Sequence, residues 1–414
     1  MKTFFIKTLG CKVNQYDSLY LKNLLIKRGM TLSVNQPDWI IVNTCAVTKV
    51  AIKKDWQAWQ NLKNKYPKAR VVVFGCWPKI YNSDKFKQAC IVSKVGQLDN
   101  LANKISQSHE KNYDYSLSSG EKNRYFLKIA DGCNQFCSYC IIPFSRGPLS
   151  SRSYKDIIEE VKKVEEQGYR EVVLTAIHLG AYGKDLKNSD INLTKLLKIL
   201  LEETKTVRFR LSSIEVNEIN AKLINSIASS KGRICQHLHI PLQSGSDKIL
   251  KLMKRPYSTL YFKKKLDYIS SKMPKMAITT DIIIGFPGES EEEFNKTYKL
   301  SKELKFSKIH VFPFSEHEMV PASKLKEKVD EKIKKQRSAV LRSLSDEMAG
   351  FYKAKILSAV NELNLLIEKK EKNVFKGRSE FYFTLKFKFK NTKNNPVKTG
   401  QLIKVKMADI SIID

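Results

Sequence analysis

Short apolar runs alternate with helical segments along most of this chain, and this alternation most limits how the chain can fold. Residues 1–105 contain three such runs, TFFIKTLG, DWIIVNTC and ARVVVFGC, separated by segments with helical periodicity. Strands that are apolar throughout and are separated by helices are typical of a parallel sheet covered by helices. The sequence therefore predicts a Rossmann-like, parallel α/β domain over residues 1–105.

The same alternation resumes after a polar, aperiodic stretch at 106–123, which we interpret as a linker. Residues 124–346 contain six further strand-like runs with helical segments between them: RYFLKIADGC, REVVLTAIHLG, VRFRLSSIEV, QHLHIPLQSG, MAITTDIIIGFPG and SKIHVFPFS. Six βα units are too few for a closed eight-stranded barrel. We therefore expect a central, open, partial (β/α)6 barrel, so that the whole chain is a multidomain α/β protein.

The end of the chain, residues 347–414, changes to a period of two. In FYFTLKFKFK, Phe and Leu residues alternate with polar ones, and Lys386, Lys388 and Lys390 share the polar side. This pattern predicts a half-buried antiparallel strand in a small all-β domain. Its lysines could contact phosphates, or they could simply solvate an exposed strand.

Charge and hydropathy limit the partners of the protein. Lysine and arginine outnumber aspartate and glutamate by 74 to 42, a formal net charge of +32. Such an excess favours a polyanionic partner, because cations beside phosphates release counterions, although a well-solvated lysine-rich surface is the alternative. No run approaches the ~18 apolar residues of a membrane-spanning helix, and MKTFFIKTLG is unlike a signal peptide. We therefore expect a cytoplasmic protein without a membrane partner, and a monomer.

Each of the three N-terminal strands ends at a cysteine: Cys11, Cys45 and Cys76. The carboxyl ends of parallel strands lie at one edge of a sheet, where open α/β folds place their sites. The three thiols are therefore expected to converge. Stable disulfides are not expected in the cytoplasm, which leaves metal binding or catalysis. Small buried thiols without a chemical role are the alternative.

A second cysteine set, Cys133, Cys137 and Cys140, follows the first strand of the central barrel with CxxxCxxC spacing. One loop with this spacing can bind three irons of a 4Fe-4S cluster and leave the fourth iron open for another ligand. Zinc is the alternative metal, but a structural zinc site has four protein ligands and no open coordination position. The spacing therefore predicts an iron–sulfur cluster.

This triad, with the aromatic Tyr139 before its last cysteine, resembles the signature of the radical S-adenosylmethionine superfamily. The resemblance implies that the open iron binds the amino and carboxylate groups of S-adenosylmethionine. It also implies that an electron from the cluster cleaves this cofactor to a 5′-deoxyadenosyl radical. The triad cysteines would then be catalytic through their cluster, and an electron donor, unidentified, would be a partner.

The complete layout resembles the methylthiotransferases within that superfamily: an α/β domain with three cysteines, a radical core and a terminal β module. The resemblance implies that Cys11, Cys45 and Cys76 bind a second, auxiliary 4Fe-4S cluster. It further implies that the terminal module is a small β-barrel TRAM domain that binds RNA, and that a sulfur source, also unidentified, is needed.

The segment GCKVNQYDS resembles the family branch that methylthiolates N6-threonylcarbamoyladenosine next to the anticodon of tRNA. The tRNA anticodon stem-loop would then be the partner. Alternatives are the branches that act on N6-isopentenyladenosine in tRNA or on an aspartate of a ribosomal protein, and an RNA-binding protein stabilised by clusters. Trp77-Pro78-Lys79 and KKDWQAWQ depart from the family pattern.

Other candidate residues are polar groups at strand ends and near the triad. The resemblance suggests cofactor contacts for Tyr139 and for four residues of the barrel: Ser213, Glu215, Gln243 and Gly285. Loop hydrogen bonds or a tight turn would explain the latter four as well. Arg146 and Arg152 flank the triad and are candidates for binding RNA phosphate or the cofactor carboxylate, with a salt bridge as the alternative.

Overall fold

This computed structural model describes residues 2–80, 89–94, 96–107, 123–187, 189–390 and 397–413. The chain forms two compact units. The first comprises Met1–Gly120, Phe126–Ser150 and Ser315–Ser323, and the second comprises Glu121–Tyr125, Ser151–Phe314 and Lys324–Asp414. Most of the interpreted linker, 106–123, lies outside the described residues. The predicted domain boundaries are not tested by this division and stay predictions.

The first unit contains the predicted parallel α/β fold. Its strands are β1 (Thr3–Thr8), β2 (Thr31–Leu32), β3 (Trp39–Thr44), β4 (Arg70–Gly75) and β5 (Ile91–Lys94). They pair in parallel in the order β2-β1-β3-β4-β5. The helices between them are α1 (Lys12–Lys27), α2 (Lys49–Lys65) and α3 (Leu98–Ser106). The Rossmann-like prediction is confirmed.

Helices cover both faces of this sheet, because its strands are apolar on both sides. Trp39 and Ile41 of β3 belong to a core with residues of α1 and α3. The alternate residues of β3, Ile40 and Val42, pack with Tyr66, which follows α2. Parallel strands buried on both faces are expected to read as continuous apolar runs, as these do.

A cluster of three packed tryptophans stabilises the segment that follows β4. Trp77 begins a short 3-10 helix directly after Cys76, and its ring meets Trp56 and Trp59 of α2 edge to face, at 5.9 and 6.3 Å. Trp59 and Trp77 are buried. The two departures from the family pattern thus pack against each other. Truncating one such buried tryptophan typically costs ~3–5 kcal/mol, so the cluster is a major support of this segment.

The segment around the triad, most of which belongs to the first unit, contains β6 (Tyr125–Lys128), β7 (Ala130–Asp131), α4 (Ile142–Arg146) and β8 (Ser150–Ser151). The strands that follow are β9 (Glu171–Thr175), β10 (Arg208–Leu211), β11 (His237–His239), β12 (Ala277–Ile284) and β13 (Lys308–Pro313). Within the second unit, β9 pairs with β10, and β11 with β12 and β13, all in parallel. The strands predicted for the partial barrel are all present.

The helices of this region separate its strands, as βα repetition requires. They are α5 (Tyr154–Glu166), α6 (Leu193–Glu203), α7 (Ala221–Ser229), α8 (Asp247–Leu252), α9 (Thr259–Lys272) and α10 (Glu291–Leu304). A long helix, α11 (Glu331–Ala359), then leads to the end of the chain. None of the helices in the described ranges is both long and apolar enough to cross a membrane.

The predicted β module is a curled antiparallel sheet. It contains β14 (Glu362–Glu371), β15 (Val374–Arg378), β16 (Thr384–Phe389), β17 (Leu402–Lys406) and β18 (Ile410–Ile413), in the order β17-β14-β15-β16-β18. Strand β16 begins later than the alternating pattern FYFTLKFKFK suggests, because Tyr382 lies in a turn with φ +77°. Leu385 and Phe387 are buried in the sheet core, as the pattern predicts.

Two buried arginines attach this β module to the barrel strands. Arg208 and Arg210 of β10 both bind the carboxylate of Glu171 on β9. Their remaining N–H groups donate to backbone carbonyls of the β module, at Asn364 (2.7 Å) and Ser379 (2.9 Å). The arginines lower the pKa of Glu171 against the effect of its burial. Such paired, hydrogen-bonded charges fix the geometry of the contact.

Candidate iron–sulfur site

The cysteines of the first unit lie where adjacent parallel strands end. Cys45 directly follows β3 and Cys76 directly follows β4, and both are buried. Cys11 lies three residues beyond β1, at the N-terminus of α1, and is exposed. Because β1, β3 and β4 are neighbours in the sheet, the three cysteines lie at one edge. Their assignment as ligands stays a prediction.

The turn after β1 passes directly against Cys45. Gly10 has φ +98°, and a Cβ atom placed on it would lie 2.7 Å from the Cβ atom and 3.1 Å from the Sγ atom of Cys45. A side chain at this position would therefore collide with the second cysteine. The glycine of the TLGC segment thus allows the Cys11 turn to approach Cys45.

Burial disfavours the charged thiolate forms of Cys45 and Cys76. Burial, with a smaller effect of the neighbouring Cys76 and Cys11, raises the pKa of Cys45 to about 12. Burial also raises the pKa of Cys76. Metal centres bind cysteine as the thiolate, and the positive charge of the metal offsets the free-energy cost of burying that negative charge. The chemistry of the donor set fits a metal cluster.

Asp55 of α2 lies beside this edge and was not singled out by the sequence. The backbone N–H of Cys45 donates to its carboxylate. Burial raises the pKa of Asp55 to about 7, although this hydrogen bond opposes the shift. Its only signal in the sequence was its place in KKDWQAWQ, a segment that departs from the family pattern.

The triad lies in an irregular loop between β7 and α4 whose backbone is held at several points. The N–H of Cys133 donates to the carbonyl of Gly147 (3.0 Å), and the N–H of Cys140 donates to the carbonyl of Cys137 (3.0 Å). The N–H of Gln135 donates to the sulfur of Cys133 (3.3 Å). Tyr139 is half-buried in the turn between the last two cysteines. Hydrogen bonds within the loop and to Gly147 therefore hold its backbone.

Gly132 is needed for this loop to close. It has φ +67°, and a Cβ atom there would lie only 1.8 Å from the carbonyl oxygen of Pro148. The strand before the triad and the strand-like segment after it thus approach at backbone distance. A glycine directly before Cys133 is a steric requirement of the loop.

Each cysteine set supplies thiols, the ligands that hold iron–sulfur clusters. Within the described ranges, no three His, Cys, Asp or Glu side chains meet closely enough to hold one metal ion. A 4Fe-4S cluster binds each thiolate at a different iron, so its ligands stand apart. Each set offers three thiols, which leaves one iron of a cubane without a cysteine.

The barrel candidates for cofactor binding lie at strand ends, and the structure gives each a local contact. Ser213 follows β10 and bridges to His239 at the end of β11. Glu215 pairs with Arg255, a residue that the sequence analysis did not single out. Burial raises the pKa of Glu215, and this effect is larger than the lowering effect of the Arg255 charge. Gln243 has φ +67°. Their role in cofactor binding stays a prediction.

Gly285 follows β12 and forms a tight turn. It has φ +71°, and its N–H donates to the carboxylate of Glu289 (2.9 Å). A Cβ atom there would lie 2.3 Å from the side chain of Lys334. The positive φ and the close approach of Lys334 explain why this position is a glycine, without any contact to a cofactor. Cofactor contact at Gly285 likewise stays a prediction.

A polar cluster on β11, β12 and β13 was missed by sequence reasoning. His239 lies 3.1 Å from the carboxylate of Asp281 and 2.8 Å from the hydroxyl of Thr279. The ring of His310 lies 5.6 Å from the ring of His239. The sequence signal for this cluster is the run of polar residues in MAITTDIIIG, because a buried parallel strand is ordinarily apolar throughout.

The two arginines that flank the triad differ in exposure. The side chain of Arg146 is 0% exposed and bound to the carboxylates of Asp17 and Asp131. This leaves no exposed guanidinium to bind an RNA phosphate there. Arg152 is partly exposed and pairs with Glu160 at 2.7 Å. Binding of RNA by Arg152 stays a prediction.

Lysines extend across the outer face of the β module. Lys386 and Lys388 of β16 are exposed, as is Lys390 just beyond it. Lys386 lies directly opposite Lys376 of β15, which in turn lies opposite Lys369 of β14. Like charges directly opposite each other destabilise a sheet. A polyanion bound on this face would relieve their repulsion.

A triad loop after the first strand of a parallel βα array defines the class of the radical S-adenosylmethionine enzymes. The chain matches the Radical SAM superfamily over residues 127–301 and Uncharacterized protein family UPF0004 over residues 3–95. The cobalamin- and [4Fe-4S]-containing radical S-adenosylmethionine methyltransferase TsrM from Kitasatospora setae has a similar fold. Its TM-score is 0.59 at 13% identity, with 78% of this chain and 77% of that chain covered.

Curated relatives match over nearly the whole chain. Threonylcarbamoyladenosine tRNA methylthiotransferase MtaB of Bacillus subtilis is 35% identical, and the match covers 98% of this chain and 94% of that protein. The tRNA-2-methylthio-N(6)-dimethylallyladenosine synthase of Thermodesulfovibrio yellowstonii is 30% identical, with coverage of 98% and 96%. The chain belongs to the radical S-adenosylmethionine methylthiotransferase family, which confirms the resemblance seen in the sequence. S-adenosylmethionine and a 4Fe-4S cluster are the cofactors of this class.

Proposed function

We propose that this protein is a tRNA methylthiotransferase that converts N6-threonylcarbamoyladenosine, next to the anticodon, to its 2-methylthio derivative. Two 4Fe-4S clusters would take part, one bound by the triad and one by Cys11, Cys45 and Cys76. The observation that carries the proposal is the pairing of these two three-cysteine sets in one chain. The relatives named for this reaction match the chain over almost its full length.

The chemistry explains why such sites are needed. Carbon 2 of adenine carries an unactivated C–H bond, which no side-chain acid or base can break at neutral pH. When bound, a reduced cluster with an open iron supplies the electron that cleaves S-adenosylmethionine to a radical. The protein binds and orients these groups and excludes side reactions. The closed triad loop and the buried Cys45 and Cys76 suit this role.

The RNA substrate fits the charge of the chain. A base in the anticodon loop is unpaired, so it can be unstacked and inserted into a site at lower cost than a base in a duplex. The formal net charge of +32 and the lysines of the β module would attract the phosphates of a tRNA stem-loop. Backbone contacts of this kind position the RNA, whereas the site selects the base.

Neutralising the lysine face should weaken tRNA binding. We expect Lys386→Gln, Lys388→Gln and Lys390→Gln together to lower affinity and to reduce the salt slope of binding by about 2–3, roughly one for each phosphate that is no longer neutralised by a lysine. Binding of tRNA measured at several salt concentrations would check this.

Exposed lysines of the barrel helices provide a matched control for that measurement. The control variant carries three lysine-to-glutamine changes at Lys198, Lys222 and Lys272. It removes the same net charge and should leave the salt slope nearly unchanged. If both triple variants reduced the salt slope equally, the β module lysines would only solvate their strand and would not contact the tRNA.

Mass spectrometry of tRNA nucleosides tests the substrate. A strain that lacks the gene should lose the 2-methylthio derivative of N6-threonylcarbamoyladenosine and should regain it with the intact gene. Loss of methylthio-isopentenyladenosine instead would assign the second tRNA branch. Loss of a methylthio group from a ribosomal protein would assign the third branch, and an unchanged profile would favour an RNA-binding protein without catalysis.

A further inference from the structure

A buried arginine connects the triad loop to the loop that carries Cys11. Arg146 is the last residue of α4, six residues after Cys140, and its side chain is 0% exposed. Its guanidinium donates to both carboxylate oxygens of Asp131 (2.8 Å each), to the carboxylate of Asp17 (3.2 Å) and to the side-chain oxygen of Asn14. One side chain that follows the triad thus binds a residue just before the triad and two residues in the first turns of α1.

Asn14 continues this connection to the other strand ends. Its side-chain N–H group donates to the carbonyl of Leu9 (2.8 Å), just before Cys11, and to the carbonyl of Thr44 (2.9 Å), just before Cys45. A chain of hydrogen bonds therefore leads from the helix after the triad to two of the strand ends that carry the N-terminal cysteines. The segment CKVNQYDS contributes both Asn14 and Asp17 to it.

The charges in this cluster are paired, and the arginine has one donor left over. Lys128 binds Asp17 and also Asp131 (3.1 Å), so two cations meet two carboxylates. The Nε atom of Arg146 is buried and has no hydrogen-bond partner among the described residues. Buried N–H groups almost always have an acceptor. The side-chain oxygen of Asn14 that accepts from Arg146 also accepts from the thiol of Cys11 (3.9 Å).

We propose that Arg146 is a positioning residue for the group that Cys11, Cys45 and Cys76 hold. It fixes the triad loop against the ends of β1 and β3, and it donates its remaining N–H to a sulfur of that group. This inference rests on the proposed two-cluster function. Hydrogen bonds to the sulfurs and nearby positive charge raise the reduction potential of an iron–sulfur cluster. Arg146 therefore stabilises the reduced, more negative form of the auxiliary cluster.

Redox titration of the reconstituted protein, followed by electron paramagnetic resonance, tests this role. In Arg146→Gln the signal of the auxiliary cluster should shift to a more negative potential, while that of the triad cluster should stay in place. Arg146→Lys keeps the charge and should shift less. The auxiliary signal is identified in a protein whose three triad cysteines are replaced by alanine, so that it retains only that cluster.

Arg233→Gln is the matched control, since Arg233 is a partly buried arginine whose guanidinium donates to Val207 and Thr204. It should leave both potentials unchanged. An unchanged auxiliary potential in Arg146→Gln, or an equal shift in Arg233→Gln, would overturn the inference.

A second variant keeps the test decisive if Arg146→Gln does not fold. Asp17→Asn removes a negative charge next to the guanidinium and should move the auxiliary potential in the positive direction, and no shift would contradict the role.

Iron content separates this inference from the proposed function. A wild-type protein with only about four irons would refute the two clusters themselves, whereas about eight irons with unshifted potentials would refute the role of Arg146 alone.

Discussion

A variant with Cys133→Ala, Cys137→Ala and Cys140→Ala should form no 5′-deoxyadenosine and no methylthio product, a loss of at least ~10⁶-fold in rate. The three thiolates are the protein's proposed attachment of the cluster that cleaves S-adenosylmethionine. No other group in the described loop offers a comparable set of sulfur ligands. Anaerobic assays with a chemical reductant, read by chromatography of the nucleoside products, would measure both losses.

An unrelated cysteine provides the control for this loss. Cys90 is exposed and lies outside both cysteine sets, so Cys90→Ala should retain full activity and iron. The triad variant should keep about four irons per chain if the auxiliary cluster remains. Formation of 5′-deoxyadenosine by the triad variant, at any rate near that of the wild type, would show that the radical arises elsewhere.

The architecture was predictable from the sequence because it depends on local periodicity. The apolar run of β3, for example, must be buried on both faces, and its neighbouring residues Ile40 and Ile41 are indeed covered from opposite sides. The alternation around Leu385 and Phe387 likewise predicted their burial. The triad was found from its spacing alone, since three ligands in one loop need no knowledge of tertiary structure.

The surroundings of the cysteines depend on tertiary contacts and were not predictable in the same way. Arg146 was interpreted as an anion-binding residue, but its carboxylate partner Asp17 lies far away in the chain and on another element. No pattern of neighbouring residues reveals such a pair. The cross-strand position of Lys376 beside Lys386 is similarly a matter of register, which the sequence alone leaves open.

The tryptophans show how tertiary contact changes the meaning of a sequence departure. Trp77 and the segment with Trp56 and Trp59 depart from the family pattern at separate places in the sequence. In the structure they form one edge-to-face cluster next to Cys76. The two departures therefore pack against each other, and Cys76 still lies directly after β4.

A variant with Cys11→Ala, Cys45→Ala and Cys76→Ala should make no methylthio product but should still cleave S-adenosylmethionine. Removing the strand-end thiols removes the proposed sulfur-donating cluster and leaves the triad loop, which is held by its own backbone contacts at Gly147. Iron content should fall by about half, from about eight to about four per chain. Iron analysis, 5′-deoxyadenosine formation and the methylthio product should be measured on the same preparation.

The separation of the two activities is what makes this experiment informative. Cys235→Ala is its control, because Cys235 is as buried as Cys76 but lies in the barrel beside Glu171. It should keep the iron and the product. If the strand-end variant kept its full iron content, the auxiliary site would be misassigned. If it lost 5′-deoxyadenosine formation together with the product, the strand-end cysteines would be supporting the triad cluster, and a separate role in sulfur transfer would be contradicted.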